Sequence, residues 1–339
     1  PDCLFRQRCL GGNHQSHRQT EAVLLCHARQ LHGKRQRSHQ FRPDFRHLQP
    51  RHRKEGAVMT TSIKYEVEQL YHYTSLNTLH AILQNKTIRL TDYRFLNDMQ
   101  ELFFATEKLK KYIQGNPTIN EREELLTAVQ NIESGKISKS KTVGYLGDKI
   151  LISPLLSDTN YYVLSLSNAR DNIAMWKMYA PEGCCMKFNS QKLFEFFYSF
   201  RDEHLPQGLT NIIRGQVHYG DDQQMPHMVN FMSSDFNKLM IYYNILQYCL
   251  LQKDKAFAYE QEYRIALPFE SEYLDDSCSR EFIISETLIK PQIEFKNFPI
   301  SEILEEVIIS PFVKSELTHM GVQELLKANG ISPDIVLKS

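Results

Sequence analysis

The chain has 339 residues and carries 40 basic and 40 acidic side chains, but this balance is unevenly distributed. Residues 1–58 hold 12 Lys and Arg against 4 Asp and Glu, a net charge of +8, so residues 59–339 carry a net charge of −8. The acidic surplus after Met59 argues against extensive nonspecific binding to nucleic acid. No apolar run approaches the ~20 residues of a membrane-spanning helix, which excludes that class of membrane protein.

Residues 1–58 show neither a helical nor a strand period and cannot bury a core. We interpret them as a basic extension, non-native or disordered; the alternative is a basic arm that binds RNA or another polyanion. Residues 59–339 are long enough for a single domain with a sizeable core. The cysteines after Met59 match no zinc-site spacing, which predicts buried thiols in a reducing cytoplasm; they are Cys184, Cys185, Cys249 and Cys278.

The first predicted elements are a strand at residues 70–73 and a helix whose apolar stripe begins at Leu76, with Thr74 or Ser75 as its cap. The other elements predicted in this half are a strand at 86–90, a helix from Asn97-Asp98 with Glu101 in capping-box spacing, a helix at 121–133 and a polar linker at 134–142.

Residues 161–167 predict a strand, followed by a short helix or turn at 171–179 and a strand at 184–188. Further predictions are a buried helix at 228–251, a strand at 263–267 ending at Pro268, strands at 289–295, 307–310 and 334–337, and a helix at 313–328 ending near Gly330. Strands and helices alternate without a Gly-rich phosphate loop. This favours an α+β fold with a mixed sheet over a doubly wound parallel sheet.

Two clusters could line a site. The first is Tyr71-His72-Tyr73-Thr74 at a strand-to-helix junction, where imidazole can donate and accept hydrogen bonds; a structural histidine is the alternative. In the second, Ser165 and Ser167 share a strand face, and Trp176 and Tyr179 share a helix face. Aromatic faces can hold a cationic ring, and plain core packing is the alternative.

The third cluster is Glu260-Gln261-Glu262 with Arg264. In an extended segment Glu260 and Glu262 project on one face roughly 7 Å apart, and Arg264 on the same face can pair with them. An exposed Glu-Arg strand edge is the alternative. Paired carboxylates suit reactions that pass through a sugar cation, because one opposes the positive charge while the other handles the acceptor or leaving group.

The order of these clusters resembles a widespread bacterial family of formerly unknown function. Its marks here are Tyr71-His72-Tyr73-Thr74, Leu96-Asn97-Asp98 with Glu101, Leu164-Ser165-Leu166-Ser167, Trp176 with Tyr179-Ala180 and Gly183, Glu260-Gln261-Glu262-Tyr263-Arg264, and Ile308-Ile309-Ser310-Pro311. These marks cover nearly all of the chain after Met59. That family is in turn distantly similar to the ADP-ribosyltransferase fold, which implies a mixed sheet core with surrounding helices and a helical insertion.

The resemblance also implies roles for particular residues. His72, with Tyr73 and Thr74 beside it, takes the position that contacts a ribose of NAD. Glu262 is expected to be the catalytic carboxylate at the reacting ribose, and Glu260 to engage the acceptor. The remaining residues expected near NAD are Ser165, Trp176, Tyr179 and Arg264. No metal is expected.

The sequence therefore leads to the hypothesis of a cytoplasmic, NAD-dependent mono-ADP-ribosyltransferase, set in a bacterial toxin–antitoxin or phage-defence module. Its acceptor, a protein or a nucleic acid, stays open, and an antitoxin protein is a possible partner. One alternative keeps the fold but binds a nucleotide or processes a phosphate at an RNA end. The other is a non-catalytic module that binds a partner through its aromatic and acidic clusters.

Overall fold

The computed structural model describes residues 68–96, 100–133, 142–146, 149–153, 160–204, 212–220, 241–269, 274–285 and 288–339. Several sequence predictions fall outside these described residues: the extension at 1–58, the helix start at Asn97-Asp98, residues 134–141 of the linker, and residues 228–240 of the buried helix. No helix among the described residues is both long enough and apolar enough to cross a membrane.

The elements up to residue 153 are β1 (Gln69–Thr74), α1 (Leu76–Asn85), β2 (Ile88–Asp92), α2 (Gln100–Gly115), α3 (Arg122–Glu133), β3 (Thr142–Leu146) and β4 (Lys149–Ser153). The middle of the chain forms β5 (Asn160–Ser167), α4 (Ile173–Tyr179), β6 (Cys184–Asn189), α5 (Ser190–His204), β7 (Ile213–Gln216) and β8 (His218–Tyr219).

The last part forms α6 (Ile241–Leu250), β9 (Gln252–Lys253), a 3-10 helix (Lys255–Glu260), β10 (Glu262–Phe269), β11 (Cys278–Ser285), β12 (Leu288–Phe295), α7 (Ile300–Ile303), β13 (Leu304–Ile309), α8 (Glu316–Ala328) and β14 (Val336–Lys338). Shorter 3-10 turns lie at Tyr93–Phe95 and Pro333–Ile335.

Ten strands form one mixed sheet. Eight of them follow the order β11-β12-β2-β5-β1-β6-β13-β14, while β10 pairs with both β5 and β7. Within this sheet the described strands pair antiparallel except β13 with β14. The remaining strands form two separate pairs, β3 with β4 and β8 with β9. The predicted α+β class with a large mixed sheet and surrounding helices is confirmed.

The central strand β5 has two different edges. Along one edge it pairs with β10 over its full length, from Ser167 opposite Glu262 to Asn160 opposite Phe269. Along the other edge, β2 pairs only with Tyr162 and Val163, and β1 only with Ser167. In the described part of the chain, residues 164–166 pair with neither strand on that edge. The sheet is therefore split there, between the end of β1 and the start of β2.

The two faces of β5 pack against different cores. Leu164 and Leu166 belong to the largest core, which contains side chains of α1, α5 and α8. On the opposite face Val163 belongs to a second core with α2, α3 and α6, and a third core gathers around Trp176 of α4. Because strand side chains alternate, Ser165 and Ser167 share the face of Val163. They are the polar end of an otherwise apolar strand face.

Most strand and helix predictions are confirmed to within a few residues, and of the two predicted caps of α1 the structure uses Ser75. Ser75 caps α1, since its Oγ accepts a hydrogen bond from the Thr78 N–H at 3.1 Å. The strand predicted to end at Pro268 continues to Phe269. Because β7 pairs with β10 only over Tyr263–Ala266, a residue without an N–H is tolerated beyond that point. The sequence also did not predict α5, α7, β3, β4, β7, β8, β9 or β11. The four described cysteines are buried free thiols, as predicted.

Gly183 leads into β6 beside the end of β1. A Cβ at this position would lie 2.0 Å from the Thr74 carbonyl oxygen, which belongs to the backbone and cannot move aside cheaply.

We expect Gly183→Ala to lower the free energy of unfolding by at least about 2 kcal/mol, as overpacked positions do. Urea denaturation measures this change. Gly321→Ala in α8 is the matched control, because a Cβ there meets nothing within 4 Å and alanine favours a helix. Equal loss in both variants would contradict the steric explanation.

Candidate functional site

A cavity of about 460 Å³ opens where the sheet is split. Its walls come from both diverging strands, from α1, from the unpaired stretch of β5, and from the chain around β9 and β10. The lining includes seven of the predicted site residues: His72, Tyr73, Ser165, Tyr179, Glu260, Glu262 and Arg264. The split therefore brings together residues that are up to 192 positions apart in the chain.

Three carboxylates and two cations meet at one end of this cavity, all nearly buried. Lys253 Nζ lies 2.9 Å from Glu101 Oε1, 2.6 Å from Glu260 Oε2 and 3.3 Å from Glu262 Oε2. Arg264 binds Glu262 through Nε at 2.7 Å and Nη2 at 2.8 Å, and Glu101 through Nη2 at 2.6 Å. This five-residue ion network carries a net charge of −1 when all its members are ionised.

Backbone conformation sets the relation between the two carboxylates of the Glu260-Gln261-Glu262 element. Glu260 ends a 3-10 helix, Gln261 has a left-handed conformation (φ 43°, ψ 49°), and Glu262 begins β10. The prediction of one extended segment is therefore wrong for Glu260, because the turn at Gln261 separates it from the strand. The carboxylates nevertheless converge, since both bind Lys253. The predicted pairing of Arg264 with Glu262 is confirmed.

Glu262 is held as an anion. Burial raises the pKa of its carboxyl, but Arg264, together with Lys253 and the Ser165 hydroxyl, outweighs burial and holds that pKa at about 2. Tyr219 fixes the backbone here, because its hydroxyl accepts a hydrogen bond from the Glu262 N–H at 2.7 Å. Ser165 thus connects the unpaired stretch of β5 to the carboxylate on the neighbouring strand.

His72 reaches the same stretch of β5 from the opposite wall. It shares its strand face with Leu70 of the largest core, and its ring stacks near Phe188 with centroids 6.3 Å apart. Burial lowers the pKa of the imidazole from 6.5 to about 4, and a hydrogen bond with the Ser165 backbone opposes part of that shift. At neutral pH His72 is therefore uncharged, so it can donate one hydrogen bond and accept another.

The aromatic residues of the predicted site occupy different positions. Tyr179 lines the cavity, and its hydroxyl donates to Glu260 Oε1 at 2.6 Å. Tyr73 also lines the cavity, while its hydroxyl donates to the Ala169 carbonyl. Trp176 is fully buried, packs edge-on against Tyr73 and donates to Asp171. Trp176 and Thr74 do not line the cavity, so a ligand bound there would not touch them.

Two residues of the ion network were not predicted as site residues. Lys253 lies in a short strand before the 3-10 helix, and nothing in its local pattern distinguishes it from other lysines. Glu101 was predicted to complete a capping box, yet both of its oxygens bind cations across the cavity. Within the described part of the chain, no group of three or more His, Cys, Asp or Glu side chains is arranged to hold a metal ion. The three carboxylates here hold Lys253 and Arg264.

The ion network predicts a stability effect that depends on charge balance. Lys253→Met would leave Glu260 without a cation and Glu101 and Glu262 with Arg264 alone, so we expect it to lower the free energy of unfolding by about 3–5 kcal/mol. Adding Glu260→Gln should recover part of that loss, because it removes the carboxylate left without its cation. Lys111→Met is the control: its pair with Glu107 is exposed and should cost below about 1 kcal/mol. Urea denaturation measures all four proteins; a double variant no more stable than Lys253→Met alone would contradict the charge argument.

His72 predicts a pH dependence of stability. Its pKa is about 4 in the folded protein and about 6.5 when unfolded, so the unfolded chain binds the proton first. The stability due to neutral His72 is therefore fully present above pH 6.5 and is lost as the pH falls from there toward 4. Between pH 7 and pH 5 wild type should lose about 2 kcal/mol more than His72→Asn. Urea denaturation at both pH values checks this, and identical losses would mean that His72 titrates normally.

Comparison with known proteins gives one family match. A family model described as a protein of unknown function (DUF2971) matches residues 175–265. That span runs from α4 into β10, so it includes Tyr179, Lys253, Glu260, Glu262 and Arg264 but neither His72 nor Ser165. No curated protein and no solved structure matches the chain. The chain is therefore similar, over this span, to a family whose function is not defined.

Proposed function

We propose that this protein is an NAD-dependent mono-ADP-ribosyltransferase. The observation that carries the proposal is that His72, Ser165 and Glu262 line one cavity. They come from three strands that are far apart in the sequence. Their order and residue types were expected from the resemblance to ADP-ribosyltransferases, and their convergence at a split in the sheet is what such a site requires.

The electrostatics of the cavity suit a reaction in which positive charge develops on a ribose. When the bond between ribose C1′ and the nicotinamide nitrogen breaks, nicotinamide leaves with the bonding electrons and C1′ becomes cationic. Glu262 is anionic at neutral pH because its pKa is about 2. Its carboxylate can accept a hydrogen bond from a ribose hydroxyl and oppose the charge at C1′. The net −1 of the ion network acts in the same direction.

The acceptor side of the reaction is assigned to Glu260. An acceptor oxygen or nitrogen forms the new bond to C1′ and must lose a proton, which a carboxylate can take. Lys253 binds Oε2 of Glu260 and Tyr179 binds Oε1, so the carboxylate is held in one orientation. Because Lys253 binds both Glu260 and Glu262, it fixes the distance between the two carboxylates.

The apolar part of the cavity lining also supports the proposal of NAD as substrate. Apolar side chains such as Ile88, Phe95 and Met175 line it beside the polar end, and flat rings bind well to such walls. His72 is neutral, so it adds no positive charge that would oppose the reaction. The proposed setting is a bacterial toxin or phage-defence effector, with an antitoxin protein as a partner. This part rests on the family resemblance.

Replacing the carboxylate of Glu262 tests the proposal. Glu262→Gln keeps the side-chain shape and leaves Lys253 and Arg264 paired with two carboxylates, so the fold should survive. We expect transfer of label from NAD to macromolecules to fall by about 10²–10³-fold, the size expected for losing one group that stabilises developing charge. The measurement is incorporation of radiolabelled ADP-ribose into a bacterial lysate, with circular dichroism to verify folding.

Glu316→Gln is the matched control for this experiment, because Glu316 is a surface residue paired with Lys338. It should transfer label at the wild-type rate. Full activity of a folded Glu262→Gln protein would show that Glu262 is not the catalytic carboxylate. NAD binding to wild type without any release of nicotinamide would instead favour a binding module.

A further inference from the structure

The hairpin of β11 and β12 extends beyond the sheet next to the cavity. Strand β2 pairs with β12 only from Phe295 to Gln292. The next residue of β12 toward the hairpin tip is Pro291, which has no N–H to offer a neighbouring strand. From there to the tip the two strands pair only with each other in the described part of the chain. We call residues 282–285 and 288–291 the arm.

The outer face of the arm is apolar. Side chains of paired residues lie on the same face, so Phe282, Ile284 and Ile289 share the outer face and are 60%, 78% and 60% exposed. Ile283 lies on the inner face with Leu288 and Lys290, and it is also partly exposed. Isolated two-stranded ribbons are marginally stable in water. An apolar ribbon that projects from the sheet is typical of a surface that another molecule covers.

The inner face of the arm is part of the cavity wall, through Ile283 and Lys290. One face of this two-stranded arm therefore lines the cavity, while its other face is apolar and exposed. Any macromolecule that presents an acceptor group to Glu260 has to approach the mouth of this cavity and so comes within reach of the arm. This position next to the cavity makes the acceptor of the proposed reaction the candidate occupant of the outer face.

Charge decides which class of macromolecule fits. Nucleic acid binds through Lys and Arg that neutralise phosphates, whereas the outer face of the arm carries three large apolar side chains. Residues 59–339, which include the arm, also carry a net charge of −8, which disfavours a polyanion on this part of the chain, although residues 1–58 carry +8. A protein with exposed apolar side chains complements this surface.

We propose that the arm docks a protein acceptor, which makes the protein a transferase that modifies proteins. The inference rests on the proposed transfer of ADP-ribose, and it adds the class of acceptor and the surface that selects it. Phe282, Ile284 and Ile289 bind an apolar patch of the acceptor. Ile283 and Lys290 lie between that patch and the group to be modified.

The test uses the full chain with Ile284→Ser and Ile289→Ser combined. Neither residue lines the cavity, so NAD binding measured by calorimetry should stay at the wild-type level. Transfer of label from NAD to protease-sensitive material in a bacterial lysate should fall by at least about tenfold, as expected when central apolar anchors are removed. The matched control combines Leu317→Ser and Met320→Ser, two exposed apolar residues of α8, and should transfer normally.

Several outcomes would overturn the inference. Label that is removed by nuclease and resists protease would identify a nucleic-acid acceptor. Equal transfer to protein by wild type and the arm variant would mean that the arm does not dock the acceptor. A wild-type dimer that the arm variant converts to a monomer, seen by sedimentation, would assign the arm to a second copy of this chain. A wild type that binds no NAD and transfers no label would reject the proposed function itself, and the inference with it.

Discussion

The site depends on the burial of five charged side chains. They are the carboxylates of Glu101, Glu260 and Glu262 and the cations of Lys253 and Arg264. Removing a carboxylate or an ammonium from water costs several kcal/mol unless partners replace the lost hydration. Here each cation contacts three carboxylate oxygens at 2.6–3.3 Å. Removing Lys253 leaves Glu260 buried without a cation, while Glu101 and Glu262 keep only Arg264. This interdependence holds segments from α2, β9, the 3-10 helix and β10 in one arrangement.

The split in the sheet lies at the same cavity as this network. A sheet that continued evenly across β5 would leave no room for the cavity between β1 and β2. The divergence of those strands gives the unpaired stretch of β5 a polar environment. Ser165 contacts Glu262 through its hydroxyl and His72 through its backbone. The turn at Gln261 separates Glu260 from β10, so Glu260 reaches Lys253 from outside the strand.

The sequence predicted the elements and much of the site because these depend on local patterns. The apolar alternation of β5 and the stripe of α1 gave those elements correctly, and the Glu260-Gln261-Glu262 element pointed to the acidic end of the cavity. Lys253 and Glu101 could not be assigned, because their roles come from contacts with residues far away in the chain. The exclusion of Trp176 from the cavity has the same origin. The packing of α4 against β1 buries Trp176 and leaves Tyr179 facing the cavity.

Charge is distributed unevenly along the cavity. The end formed by Glu101, Glu260 and Glu262 keeps a net negative charge although two cations lie within it, and the opposite wall presents a neutral imidazole. A group that becomes positive is therefore stabilised at one end only. Carboxylates alone would repel each other and take up protons, which would remove the negative charge of this end. Lys253 and Arg264 prevent this while leaving one negative charge uncompensated, so the pairing that stabilises the fold also keeps Glu262 ionised.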